Sequence, residues 1–108
     1  MDIELPLFEV IVLSKKEILL EKIRTILTRE KARDLYDFYY LTQTEIVTKK
    51  EIQEKLDTIN KKFDLKELDQ AINRKERLYE TEIKRLVKNY PNFFEIKEQL
   101  QKYFKKIV

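Results

Sequence analysis

Lys31-Ala-Arg-Asp-Leu-Tyr-Asp-Phe-Tyr-Tyr-Leu41 is the stretch on which the fold turns. Its later residues, Leu35, Tyr36, Phe38, Tyr39, Tyr40 and Leu41, are apolar or aromatic nearly all the way round a helical wheel. A helix of that profile is usually buried on several sides. The pattern therefore predicts a central helix between Lys31 and Thr42, with Phe38 and Tyr39 largely buried. Upstream, Ser14-Lys-Lys-Glu17 reads as a capping box, in which the Ser hydroxyl accepts from the Glu17 N–H and the Glu carboxylate reaches back. A helix running to about Arg29 follows from it.

Downstream, Thr48-Lys-Lys-Glu51 repeats the device and opens a helix with Ile52, Leu56 and Ile59 on one face. Asp64-Leu-Lys-Glu67 does so again. Leu65, Leu68, Ile72, Tyr79, Ile83, Leu86 and Val87 then recur at helical spacing, which predicts one helix to about Lys88. Asn89-Tyr-Pro91 ends it. A last helix from about Asn92 carries Phe93, Ile96, Leu100, Tyr103, Phe104 and Ile107.

Residues 7–13, Leu-Phe-Glu-Val-Ile-Val-Leu, are β-branched and apolar and read as a strand, with residues 2–5 as a second short one before Pro6. A lone strand or hairpin is not stable by itself. Its open edge invites pairing with a second copy of the chain or with a missing domain. The expected fold class is mainly α, about five helices preceded by a short β-strand or hairpin. The chain reads as a single domain over 1–108, with a strand segment 1–13, a two-helix region 14–43 and C-terminal helices 44–108.

Composition narrows the chemistry. The 108 residues are 43% hydrophobic and 40% charged, with no Gly, no Cys and no His. Without Gly, tight turns with φ > 0 are costly, which favours helices on short connectors. Without Cys there is neither a disulfide framework nor thiolate chemistry. Without His, the commonest metal ligand and the usual acid–base group near neutral pH are missing. Any catalysis must rest on carboxylates, Lys, Arg or Tyr. No signal peptide and no apolar run of membrane-spanning length is visible, so the cytoplasm is expected. Abundant Lys, Glu and Ile with no Cys fits a thermophile. The formal net charge is +3, and from Lys84 onward seven basic residues (Lys84, Arg85, Lys88, Lys97, Lys102, Lys105, Lys106) face two acids, Glu95 and Glu98. That end is either a solvated face or a contact for something anionic, nucleic acid included.

On the wheel of the first helix, Lys22 falls inside the edge of the apolar arc made by Ile18, Leu19, Ile23, Ile26 and Leu27, and Arg29 lies beside it. Both side chains either snorkel from that edge or serve a site. In the following segment Arg33 and Asp37 form an i, i+4 pair, and Asp34 and Asp37 an i, i+3 pair. Two carboxylates within one turn, with cations near, can hold a metal, orient a base or accept a proton. Equally, Asp34 can charge the helix N-terminus while Asp37 pairs with Arg33.

Taken in order, the capping box, Glu21-Lys22, Thr25, Arg29 and Lys31-Ala-Arg-Asp-Leu-Tyr-Asp37 running into Phe-Tyr-Tyr-Leu41 resemble the AbiEii/AbiGii-type nucleotidyltransferase toxin family. The resemblance covers residues 7–42. The family's motif has a Lys, a small residue three on and an Arg seven on, then Arg-Asp-x-x-Asp. Lys22, Arg29, Arg33, Asp34 and Asp37 match it. Thr25 stands where the family favours Ala, and Lys31 where Arg or Ser is usual. The resemblance implies nucleotide or phosphate binding by Lys22, Arg29 and Arg33, and catalytic roles for Asp37, Lys22 and Asp34. It also implies Mg²⁺ and a nucleoside triphosphate in a complete member, held by a Gly-Gly-Ser/Thr element and an Asp-x-Asp pair that these 108 residues lack. The expected function is thus the C-terminal helical part of a toxin of that kind, incomplete by itself. The expected partners are a nucleotidyltransferase core and an antitoxin. A helical protein-interaction module and a basic nucleic-acid-binding domain are the alternatives.

Overall fold

The computed structural model describes residues 14–107, and among them are six helices: α1 (Lys15–Thr28), α2 (Ala32–Leu41), α3 (Lys49–Asp57), α4 (Leu65–Arg74), α5 (Glu76–Leu86) and α6 (Phe93–Ile107). No described residue lies in a strand. The strand expected over 7–13, and with it the pairing of its edge, falls outside the described residues.

Helix α2 packs against α1, α5 and α6, and α1 packs in turn on α3 and α4. The expected central helix shares the centre with α1, since each packs on three others. Leu35 and Phe38 of α2 are fully buried, against Leu19, Ile23 and Ile26 of α1 and Ile83 of α5 in the same core. Phe38 meets Phe104 of α6 edge-on, ring centroids 5.6 Å apart. Tyr39 departs from the expectation: it is only half-buried, and Tyr40 is exposed. Helix α2 packs mainly on three neighbours, and the Tyr40 side of it faces outward.

The single helix expected from Leu65 to about Lys88 is two helices. Lys75 breaks it, at φ −92° and ψ 1°. Its N–H bonds Ile72 O at 3.0 Å, a short-turn bond, and its own carbonyl accepts from Tyr79 N at 2.8 Å to begin α5. Lys75 sits between Ala71 and Tyr79 and is, like them, fully buried, so its ammonium needs polar partners inside the bundle. At the turn its Nζ reaches Ile26 O at 2.7 Å. Leu86, expected on the apolar face, is left exposed beyond the break.

The caps also sort themselves. Thr48 and Glu51 make the full reciprocal box. Ser14 makes only its own half, accepting from Glu17 N at 3.0 Å. Asp64 caps by accepting from Lys66 N, while Glu67 turns to Lys61, 2.7 Å away. An ammonium within reach outcompetes a backbone N–H for that carboxylate. Long-range polar contacts close the bundle. The Tyr79 hydroxyl donates to Pro91 O at 2.6 Å, and the Tyr103 hydroxyl donates to Glu45 O and accepts from Val47 N.

Candidate functional site

The joint between α1 and α2 is only residues 29–31, so the two helices pack against each other, and their polar edges meet. At that meeting the five motif residues form one chain of alternating charge. Arg29 holds Asp34 through both oxygens, Nε to Oδ2 at 2.9 Å and Nη2 to Oδ1 at 3.0 Å. Lys22 Nζ lies 3.2 Å from Asp34 Oδ1 and 2.9 Å from Asp37 Oδ2. Arg33 Nε approaches Asp37 Oδ2 at 3.7 Å. Lys22 thus reaches across the elbow from α1 to Asp37 on α2.

The residues differ in exposure, and the difference decides what each can do. Asp34 is 1% exposed. Burial by itself pushes its carboxyl pKa up, but the hydrogen bonds from Arg29 and Lys22 outweigh that and hold it below the ordinary value. With both oxygens taken, Asp34 is an ionised holder of cations. The Lys22 side chain is 18% exposed and that of Asp37 is 27% exposed, so both reach solvent. Arg33 is 75% exposed and only loosely tied. Thr25, at the position where Ala is usual, bonds its hydroxyl to Lys22 O at 3.0 Å, so its polar atom is satisfied although the residue is buried.

Lys22, Arg29, Lys31, Arg33, Asp34 and Asp37 line a cleft of about 230 Å³. Four cations against two carboxylates leave it positive, which suits an anion. Lys22 and Asp37 also border a second hollow, of about 430 Å³, floored by Ile18, Tyr36, Tyr40 and Leu41. Tyr36 and Tyr40 stand edge-to-face there, centroids 5.0 Å apart. The structure brings the five motif residues together. Lys31 as a cleft residue and the two tyrosines were not singled out from the sequence, although the tyrosines' spacing from Asp37 on one helix would have found them.

Two carboxylates that are each already engaged by cations do not by themselves fit a divalent ion. Among the described residues, no cluster of three or more Asp, Glu, His or Cys is placed to hold one.

Fold and site together define a helical bundle bearing a cationic cleft at a two-helix elbow. The family model described as nucleotidyl transferase AbiEii toxin, type IV TA system, matches residues 1–106. The chain belongs to the AbiEii nucleotidyltransferase toxin family. No curated protein and no solved structure matches it with significance. No described helix is long and apolar enough to cross a membrane.

Proposed function

We propose that this chain is the C-terminal helical portion of an AbiEii-type nucleotidyltransferase, the toxin of a toxin–antitoxin pair, and that it is catalytically incomplete by itself. The observation that supports this best is Lys22, held between Asp34 and Asp37 at the mouth of an open, positive cleft. Its Nζ is fixed by two carboxylates while its side chain stays partly exposed at the cleft, as a group that must meet an incoming phosphate requires. In this reading Lys22 supplies charge to a nucleotide phosphate, and Arg33 and Lys31 attract it. Asp37 orients Lys22 and is the one partly exposed carboxylate able to take a proton. Asp34 and Arg29 position the pair from behind.

The Gly-Gly-Ser/Thr and Asp-x-Asp elements are not in these 108 residues. A core carrying them, on another segment or another chain, would supply the metal and triphosphate site, with an antitoxin as a further partner in the cytoplasm. The test is label transfer from each of the four NTPs to RNA or protein, with Mg²⁺ or Mn²⁺. The chain alone should transfer none. Joined to a core with those elements it should transfer label, and Lys22→Ala and Asp37→Ala should each lower the rate by roughly a hundredfold or more. Robust transfer by the chain alone would overturn the incompleteness. Full activity of both variants in the joined protein would overturn the assigned roles.

A second reading, a nucleic-acid-binding helical domain, has the exposed Lys84, Arg85, Lys88, Lys102, Lys105 and Lys106 in its favour. Binding to RNA or DNA that weakens steeply with salt would support it.

A further inference from the structure

Lys75 is a lysine with no exposure to solvent, and it lies outside the lining of the cleft. Its ammonium donates to Ile26 O at 2.7 Å and to Ala71 O at 3.4 Å, and lies 3.6 Å from the Glu30 carboxylate. Ile26 O is one of the last four carbonyls of α1, which have no partner inside the helix and form the negative end of its dipole. Helix α1 has no basic residue of its own in its last turn. The cation that such an end favours arrives instead from α4 and α5, 49 residues along the chain.

The position matters because of what the joint carries. Of residues 29–31, Arg29 grips Asp34, while Glu30 faces Lys75 and Arg74. Burying an ammonium at the middle of an apolar face costs several kcal/mol unless hydrogen bonds and an opposite charge offset it, and a well-packed apolar side chain often does as well for stability alone. What Lys75 supplies and Met or Leu cannot is a directed contact to the end of α1 and to the joint. Burial pushes its pKa down, with the charge of Glu30 acting the other way. Its hydrogen bonds to two carbonyls account for its remaining donors.

We propose that Lys75 is the positioning residue of the cleft: its ammonium clamps the last turn of α1 and Glu30, and so fixes the elbow from which Arg29 reaches Asp34 and Asp34 reaches Lys22. The importance of the cleft rests on the functional reading above. The geometry of the elbow does not, and it is measured on this chain alone.

The test compares the unaltered chain with Lys75→Met by carbon-detected titration of the Asp34 carboxyl and by amide hydrogen exchange. In the unaltered chain Asp34 titrates below the ordinary carboxyl range. In Lys75→Met, Arg29 loses its fixed station, and the Asp34 titration moves up toward the ordinary value. Amides of Arg29, Glu30 and the first turn of α2 exchange roughly tenfold faster, the factor expected for a lost helix cap, while those of Leu100 and Phe104 keep their protection. An unchanged Asp34 titration, or loosening spread evenly over all helices, would overturn the proposal. Should Lys75→Met not fold, the ammonium nitrogen of Lys75 in the unaltered chain decides: slow proton exchange and a coupling to the Ile26 carbonyl carbon support the clamp, and exchange as fast as that of a surface lysine overturns it. Failure of the nucleotide-transfer reading would leave all these signals in place, so the two failures are distinguishable.

Discussion

Replacing Asp34 with Asn tests the electrostatic centre of the elbow while keeping its shape. Asp34 accepts three charge-assisted hydrogen bonds, two from Arg29 and one from Lys22, from a position that is 1% exposed. The Asn amide offers a single acceptor oxygen, and its NH₂ must face a cation. Removing one partner of a fully buried ion pair costs about 3–5 kcal/mol, because the other charge is stranded. Here the stranded cations are not fully buried: the Arg29 side chain is 50% exposed and Lys22 keeps Asp37. The cost should therefore fall below that range, at about 2 kcal/mol. For a domain of this size that corresponds to a fall in Tm of roughly 10 °C. Urea unfolding followed by far-UV circular dichroism measures it, at a series of pH values. The sign is fixed by linkage. The folded pKa of Asp34 is depressed, so its contribution is fully present above the unfolded carboxyl value of about 4 and is lost as pH falls through the folded value. The gap between the two proteins should thus be widest at neutral pH and narrow steadily in acid below about pH 4. A gap under about 0.5 kcal/mol at neutral pH, the level of an ordinary surface substitution, would refute the reasoning, as would a gap that acid leaves unchanged.

Lys22→Met should lose no more than about 1 kcal/mol, because Asp34 retains both bonds from Arg29 and Asp37 has access to water. A larger loss in the same urea experiment would place Lys22 wholly at the fixed end of the motif, with Arg29 and Asp34, and remove it from the functional reading. Tyr79→Phe deletes the buried bond to Pro91 O and should cost about 1–2 kcal/mol, with the faster exchange concentrated around the α5–α6 turn; a neutral outcome would mean that Pro91 O finds another donor.

The reading of α2 from sequence succeeded where the hydrophobic signal was one-dimensional and failed where it was not. A run such as Leu35 to Leu41 states that a helix is buried, and the bundle buries Leu35 and Phe38 completely. It does not state how many neighbours the helix has, and that number decides whether Tyr39 and Tyr40 are inside. The expected 65–88 helix failed for a related reason. Periodicity recorded the apolar residues and passed over the one charged residue among them. Lys75, with Ala71 and Tyr79 four residues to either side, was itself the signal of a break. The pairing of Lys22 with Asp37 could not be derived at all, since it depends on the angle of the elbow. That angle reflects contacts such as Lys75 to Ile26 O, which join residues far apart in the sequence.

The two readings of the motif that the sequence left open, local ion pairs or a convergent site, turn out not to exclude each other. Along the line Arg29, Asp34, Lys22, Asp37, Arg33 the two ends differ: one is a two-point grip on a buried carboxylate, the other a single 3.7 Å approach by a side chain that is 75% exposed. An exposed pair of the last kind contributes little stability, and an arriving anion can take Arg33 from Asp37 at little cost. The inner pair cannot be parted so cheaply, because separation would leave the Asp34 charge buried without a partner. The inner end therefore fixes geometry and the outer end is free to exchange partners. Lys22 belongs to both, held by Asp34 on one side and open to the cleft on the other. The arrangement accounts for a lysine at the edge of an apolar arc better than snorkelling alone does, since its ammonium is held by two carboxylates, and under the proposed function one short motif would serve as scaffold and site at once.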